Sequence, residues 1–337
     1  VYTYGDTPVT DLPHVEKVAL PRCHKGWWDH GRFRSRVHKD RPDVLWFPQN
    51  VAAFRCKIPY VVTVHDLLYF PTPGVTYQEY PTADNLYMRT MIPPSVRQAT
   101  RVACDSQHTL DDIRRVIPSV APEKMSVIPL AAPKHFRVMS GDQVDGLLRP
   151  LDLQRPYFVY SATLSPRKNQ RTLLKAFGRI KDQIPHSLVL TGSGTAVKEQ
   201  FADLIESEGL QGRVQTVGYV EEDQLSALMN GAEALLFPSS YEGFGIPPLE
   251  AFACNCPVIC SNATSLPEVV GDAALTHDPY DVAALAEHMI CLVNKPGLRK
   301  KLIEKGRARV KMFSWERSSR MLVKLLVQSA EAGIPHG

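Results

Sequence analysis

Short apolar runs recur along the chain, set apart by longer stretches whose apolar positions follow a helical period. In the first half the runs fall at 14–20, 43–48, 59–65, 101–106 and 125–130, and their apolar residues tend to stand side by side instead of alternating with polar ones. A strand patterned in this way is covered on both faces, as in a parallel sheet. Helices are predicted between the runs, near 29–40, 83–99 and 107–117. Strand alternating with helix is the pattern of an α/β protein with a doubly wound parallel sheet. A second series opens at 157–162 and continues at 187–191, 214–220, 234–238 and 257–261, before a helical tail over 282–293, 296–311 and 315–330. Between the two series, residues 131–156 carry Pro133, Gly141, Gly146, Pro150 and Pro156 with no sustained apolar period, which predicts a connection between two domains.

The 337 residues suffice for two full-sized cores. At 44% apolar and 22% charged, the chain is composed like a globular protein, not a disordered or fibrous one. No apolar run approaches the roughly 20 residues of a membrane-crossing helix, and no signal-peptide pattern opens the given sequence. Seven cysteines form neither a disulfide framework nor zinc-ligand spacing, and the Cys254-Asn255-Cys256 pair reads as small packing residues at a helix end. A cytoplasmic location is expected on these grounds. Of the 39 Lys and Arg and 35 Asp and Glu, 19 and 15 lie in residues 1–150, leaving 20 and 20 in the rest. The basic first half suits peripheral contact with an anionic membrane or acceptor, although a surplus of this size is ordinary. No dense basic run with interleaved aromatics occurs, so no nucleic-acid partner is expected.

The chemistry gathers at predicted strand ends. Residues Ser239-Ser240-Tyr241-Glu242-Gly243-Phe244-Gly245-Ile246-Pro247-Pro248-Leu249-Glu250 follow an apolar strand and lead into a helix. Proline suits the first helical turn, which places Glu250 near the positive end of that helix. Glu242 sits on the loop before it, at the carboxyl edge where open α/β sheets bind ligands. The Gly243-Phe244-Gly245 turn exposes backbone N–H groups, which suit phosphate. Together these fit an anionic ligand that carries hydroxyls at one end, as a sugar nucleotide does; each glutamate alone could equally be a solvated loop acid or a helix-start charge. Arg167 and Lys168 follow the first strand of the second series, where a bidentate fork and a point charge can neutralise a diphosphate. Gly192 and Gly194 follow the next strand and lack the third glycine of a dinucleotide fingerprint, which argues against an NAD domain. In the first half His65 closes a strand, Asp66 reads as a turn cap, and Ser106 as a helix N-cap. No Asp-x-Asp pair appears, so no metal or other cofactor is expected.

Residues 235–268 read LLFPSSYEGFGIPPLEAFACNCPVICSNATSLPE. This stretch resembles, almost position by position, the Glu-x7-Glu signature of the retaining glycosyltransferases of family GT4. The resemblance implies the GT-B fold, two Rossmann-like domains facing across a cleft: 1–140 on the acceptor side, 151–313 binding the donor, and 314–337 as a last helix crossing back. It implies metal-independent transfer of a hexose, with mannose favoured, from a nucleoside-diphosphate sugar to a saccharide or lipid-linked saccharide in surface polysaccharide or glycoconjugate synthesis. Val62-Thr63-Val64-His65-Asp66 looks like the family segment whose histidine contacts the donor sugar, and Ser106 lies in a segment near the crevice. Leu164-Ser165-Pro166-Arg167-Lys168-Asn169 resembles the family's Gly-Thr-Leu-Glu-Pro-Arg-Lys-Asn, with Ala162 and Ser165 in place of its Gly and Glu, and carries over the phosphate role. The implied catalytic set is Glu242, His65, Arg167 and Lys168. The implied donor-binding set is Glu250, Gly192, Gly194, Gly243, Phe244, Gly245, Tyr219 and Val220, with Glu250 on the ribose and the backbone at Tyr219 and Val220 near the base. Glu268 reads as a cap first. Family members usually open with a strand and a glycine-rich loop facing the sugar, whereas this sequence opens at Val1-Tyr2-Thr3-Tyr4-Gly5-Asp6, which looks like a point beyond that loop. The rival readings are a non-catalytic sugar-nucleotide binder and another GT-B activity such as an epimerase.

Overall fold

The computed structural model describes residues 1–4, 13–20, 33–53, 56–72, 81–163, 165–192 and 200–333. In the first unit β1 (Tyr2–Tyr4) and β2 (Val18–Leu20) form a parallel pair. A four-stranded sheet follows in chain order: β3 (Leu45–Phe47), β4 (Tyr60–Val64), β5 (Arg101–Cys104) and β6 (Met125–Val127), all parallel. The helices α1 (Phe33–Asp40), α2 (Thr82–Gln98) and α3 (Gln107–Val116) fall between these strands or against them. Every residue of β4 is buried, as its run of adjacent apolar positions requires.

The second unit holds six parallel strands: β7 (Tyr157–Ser161), β8 (Ser187–Thr191), β9 (Val214–Gly218), β10 (Leu235–Phe237), β11 (Val258–Ser261) and β12 (Leu275–His277). Their order across the sheet is β12-β11-β10-β7-β8-β9. The chain winds outward from β7 in one direction, then returns to β10 at its side and winds the other way. Such a reversal opens a crevice at the carboxyl ends of the two central strands, here β7 and β10. Both faces are covered: Tyr157, Val159, Leu235 and Phe237 pack on one side, Phe158, Tyr160, Leu188 and Leu236 on the other.

The stretch read as a connection between domains, without a sustained apolar period, contains α4 (Gly141–Leu148). A capping box between Ser140 and Gln143 starts this helix, and Val144 and Leu148 are buried in the core of the second unit. Gly141 and Gly146 mask a two-turn apolar stripe too short for the period to emerge. At the far end α12 (Trp315–Gly333) returns to the first unit, where Leu325 packs with Val61, Ala103 and Ile128. No helix among the described residues is long and apolar enough to cross a membrane.

Candidate active site at the seam between the two sheets

Directly after β7, Pro166–Lys168 form one 3₁₀ turn; the loop after β10 carries Glu242. The reversal of winding brings the two together. Lys168 Nζ lies 2.6 Å from Glu242 Oε1, and Arg167 Nη1 lies 2.8 Å from Oε2. Lys168 is 8% exposed and Glu242 7%, so this pair is buried, and with Arg167 the cluster keeps a net charge of +1. Burial by itself would push the Glu242 carboxyl up, but the Lys168 and Arg167 charges and their hydrogen bonds hold it below the usual range. Backbone contacts fix the loop: Glu242 N–H donates to Thr264 Oγ1 (2.9 Å), while Ser265 Oγ donates to the carbonyls of Glu242 (2.9 Å) and Phe244 (2.7 Å).

Glu250 lies in α8 (Ile246–Ala253), which carries the two prolines in its first turn. Burial pushes its carboxyl up to about 7, and the Lys168 charge only partly offsets this. Between the ordinary 4.5 and about 7 the folded chain therefore keeps a proton that the unfolded chain has lost. Stability conferred by the protonated form is lost as pH rises through that window. Wild type should fall more steeply in melting temperature than Glu250→Gln between about pH 5 and 8; parallel curves would show that Glu250 is not desolvated.

The first unit presents its own strand ends to the seam. His65, just past β4, has Nδ1 at 2.6 Å from Asp105 Oδ2 and Nε2 at 2.8 Å from the Pro48 carbonyl. The Asp105 hydrogen bond outweighs burial and raises the ring to about 9, so it is an imidazolium with both N–H groups donating. Asp66 accepts from Leu68 N–H (3.1 Å), the turn cap its position suggested, and burial pushes its carboxyl up. Ser106 is the N-cap of α3, accepting from Thr109 N–H at 3.0 Å.

Side-chain hydrogen bonds close the seam. Ser106 Oγ donates to the Gly243 carbonyl at 2.6 Å, and Thr109 Oγ1 lies 3.1 Å from the same oxygen. Tyr241 Oη donates to Asp112 Oδ2 at 2.8 Å. Glu268 accepts from Gln107 N–H (2.9 Å) and His108 N–H (3.0 Å), so it does cap a helix, but one in the opposite unit. Gly243 lies so near the backbone of His65 that a Cβ built on it would stand 1.9 Å from that carbonyl oxygen. The Phe244 ring is buried against Phe313 and packs beneath the turn. Val220 is likewise a core residue, whereas Tyr219 is 78% exposed. Gly192 sits at φ +105, its Cβ position 2.7 Å from the Ala162 carbonyl, a turn only glycine fits; Gly245, at φ +107, starts α8. Gly194 lies outside the described residues.

Sequence reasoning missed Asn50, which clamps the His65 loop by accepting from His65 N–H (2.8 Å) and donating to the Asp66 carbonyl (3.1 Å). It also missed Asp105, Thr109 and Asp112 as seam residues. Asn50 and Asp105 stand past β3 and β5, so their place at the carboxyl edge was the available signal.

The family description "Glycosyltransferase Family 4" matches residues 3–132, and "Glycosyl transferases group 1" matches 149–309. The chain is 33% identical to O-antigen chain mannosyltransferase B of Escherichia coli over 291 residues, 85% of this chain and 75% of that protein. The chain belongs to glycosyltransferase family 4. It is therefore a glycosyltransferase, with mannosyltransferases of O-antigen synthesis among its homologues. It is also 26% identical to the serotype-specific mannosyltransferase WbdA of Escherichia coli, spanning 97% of this chain but only 43% of that protein. Among solved structures, sucrose-phosphate synthase from Thermosynechococcus elongatus superposes with a TM-score of 0.78 at 21% identity, covering 98% of this chain and 88% of that one. Anabaena Alr3699/HepE in complex with UDP superposes at 0.74 with 18% identity, covering 94% and 87%. At these identities the likeness establishes the fold, GT-B, for this family 4 glycosyltransferase.

Proposed function

We propose that this glycosyltransferase moves a hexose, with mannose favoured, from a nucleoside-diphosphate sugar to a saccharide or lipid-linked saccharide hydroxyl in surface polysaccharide synthesis. It does so with retention of configuration and without a divalent metal. The observation that carries the reading is the convergence of Arg167, Lys168 and Glu242 at the crevice between β7 and β10. A leaving diphosphate gains negative charge as the glycosidic bond breaks, and two cations fixed at that edge stabilise it. In the resting arrangement both cations are held by Glu242. An arriving diphosphate competes for them and frees Glu242 oxygens to accept from sugar hydroxyls. Glu250, with no side-chain partner among the described residues, accepts from the ribose. His65 contributes fixed positive charge from the opposite unit; with both nitrogens donating, it is not a proton acceptor. The O-antigen mannosyltransferase relative supports mannose and a polysaccharide acceptor, and the UDP bound in the Alr3699/HepE structure supports a nucleotide donor.

Thermal melts with GDP, UDP, TDP and ADP, each with and without EDTA, test this. At a hundredfold excess over Kd one nucleotide should add about 2.7 kcal/mol of stability. A shift indifferent to EDTA is the expected result; no shift with any nucleotide would defeat the reading, and a shift abolished by EDTA would defeat its metal independence.

A further inference from the structure

Tyr241 comes directly before Glu242 and is 1% exposed, yet its side chain is buried in the opposite unit, not its own. Its hydroxyl donates to Asp112 Oδ2 at 2.8 Å and accepts from Leu67 N–H at 3.3 Å. Leu67 is two residues past His65, so one oxygen atom ties the loop of Glu242 to the loop of His65 and Asp66. The socket is ordered by its own unit. Arg115 Nη2 holds Asp112 Oδ1 at 2.7 Å, and the His108 ring meets the Tyr241 ring edge-on at 5.8 Å. On the other side the Tyr241 carbonyl accepts from Arg167 Nη1 at 3.1 Å. The residue before Glu242 is thus gripped by the first unit through its side chain and by the phosphate-side arginine through its backbone.

We infer that Tyr241 and Asp112 form a peg and socket that position Glu242 against the first unit's half of the site when the units close. Neither touches the reacting atoms; both act through the Glu242 backbone. The inference rests on the reading that Glu242 faces the donor sugar. Closure itself does not depend on the peg, because Ser106, Thr109 and Glu268 bridge the seam independently. Loss of the hydroxyl should therefore leave the units docked and the nucleotide bound, while the Glu242 segment drifts. A misplacement of this kind is felt in kcat, not in donor affinity. Asp112 is an anion throughout the neutral range: burial would raise its carboxyl, but the His108 ring 3.4 Å away and hydrogen bonds from Arg115 and Tyr241 lower it to about 2.

The test compares Tyr241→Phe, Asp112→Ala, Asp112→Asn and the Phe/Ala double variant of the full chain, with GDP-mannose as donor and an α-mannoside as acceptor. Tyr241→Phe keeps the packing and should lower kcat by roughly 10- to 100-fold with donor KM within about twofold. Asp112→Asn still offers a carbonyl to the hydroxyl and should recover part of the Asp112→Ala loss. The double variant should be no worse than the worse single one, since both remove the same contact. Hydrogen exchange across 239–245, which needs no turnover, should rise in Tyr241→Phe while GDP still raises the melting temperature. Unchanged kcat or unchanged exchange in Tyr241→Phe, or losses that multiply in the double variant, would overturn the inference. Glu242→Gln separates it from the reading beneath: full activity there would sink the role of Glu242, whereas a crippled Glu242→Gln beside an unaffected Tyr241→Phe would sink the peg alone.

Discussion

Glu242→Ala is expected to lose transfer by on the order of 10²-fold or more and to melt on the order of 10 °C below wild type, two effects with separate causes. The stability loss comes from Lys168. The residue is 8% exposed and its ammonium is held by Glu242 Oε1 at 2.6 Å, so removing the carboxylate leaves a buried cation without that partner. Breaking a buried ion pair from one side costs about 3–5 kcal/mol, and in a chain of this size each kcal/mol moves the midpoint by about 2–4 °C. Arg167 loses a partner too, but its greater exposure lets water compensate. The activity loss follows from the proposed function, because the sugar loses its acceptor of hydroxyl hydrogen bonds. Glu242→Gln keeps the shape and one oxygen, so it should recover part of the stability but little of the rate. Because the Glu242 carboxyl lies below its ordinary range, the stability it confers is present at neutral pH and is lost only as pH falls through its folded value. Melting curves and initial rates measured on the same preparations decide the matter. An alanine variant that melts low yet turns over at the wild-type rate would confine Glu242 to structure.

Much of this site is legible in the sequence, for a physical reason. A buried parallel strand writes itself as adjacent apolar residues, and the residues past its carboxyl end must lie at the ligand edge. That logic places His65 after β4, Arg167 and Lys168 after β7, and Glu242 after β10. What it does not contain is the pairing between strand ends. Strand order is set by the long-range return of β10 to the side of β7, so the ion pairs of Glu242 with Arg167 and Lys168 were not readable from spacing. The seam was hidden more deeply still. Glu268 lies 161 positions from the Gln107 amide it caps, and Tyr241 lies 129 from Asp112. A tyrosine before a glycine-rich turn reads as core, and nothing local says that the core is the other unit's. The helix α4 failed for the opposite reason, its two glycines reading as a linker although Val144 and Leu148 are buried.

Gly243→Ala should prove nearly as damaging to transfer as the loss of Glu242, although it removes no charge and no hydrogen-bonding side chain. The added methyl would stand 1.9 Å from the His65 carbonyl oxygen and 3.1 Å from Asp66 Cβ. The nearer atom is backbone, held in place through His65 N–H to Asn50 and through Thr109, so no rotamer change relieves the clash. Gly243 does not occupy the left-handed region, so alanine brings no conformational strain of its own and acts purely as a wedge. To regain a contact of 3.0 Å the units must part locally by about 1 Å, which stretches the bonds from Ser106 and Thr109 to the Gly243 carbonyl. A displacement of about 1 Å between halves of an active site can lower the rate by on the order of 10²-fold. Donor binding should survive, because Arg167, Lys168 and Glu250 all belong to the second unit and the wedge does not touch them. The expected result is thus a large fall in kcat with the nucleotide-induced thermal shift retained, and an increase in the radius of gyration by small-angle scattering if the seam opens as a hinge. A Gly243→Ala enzyme with wild-type kcat would mean that the reacting geometry is more open than the closed seam, and that the contact between Gly243 and His65 belongs to a resting state.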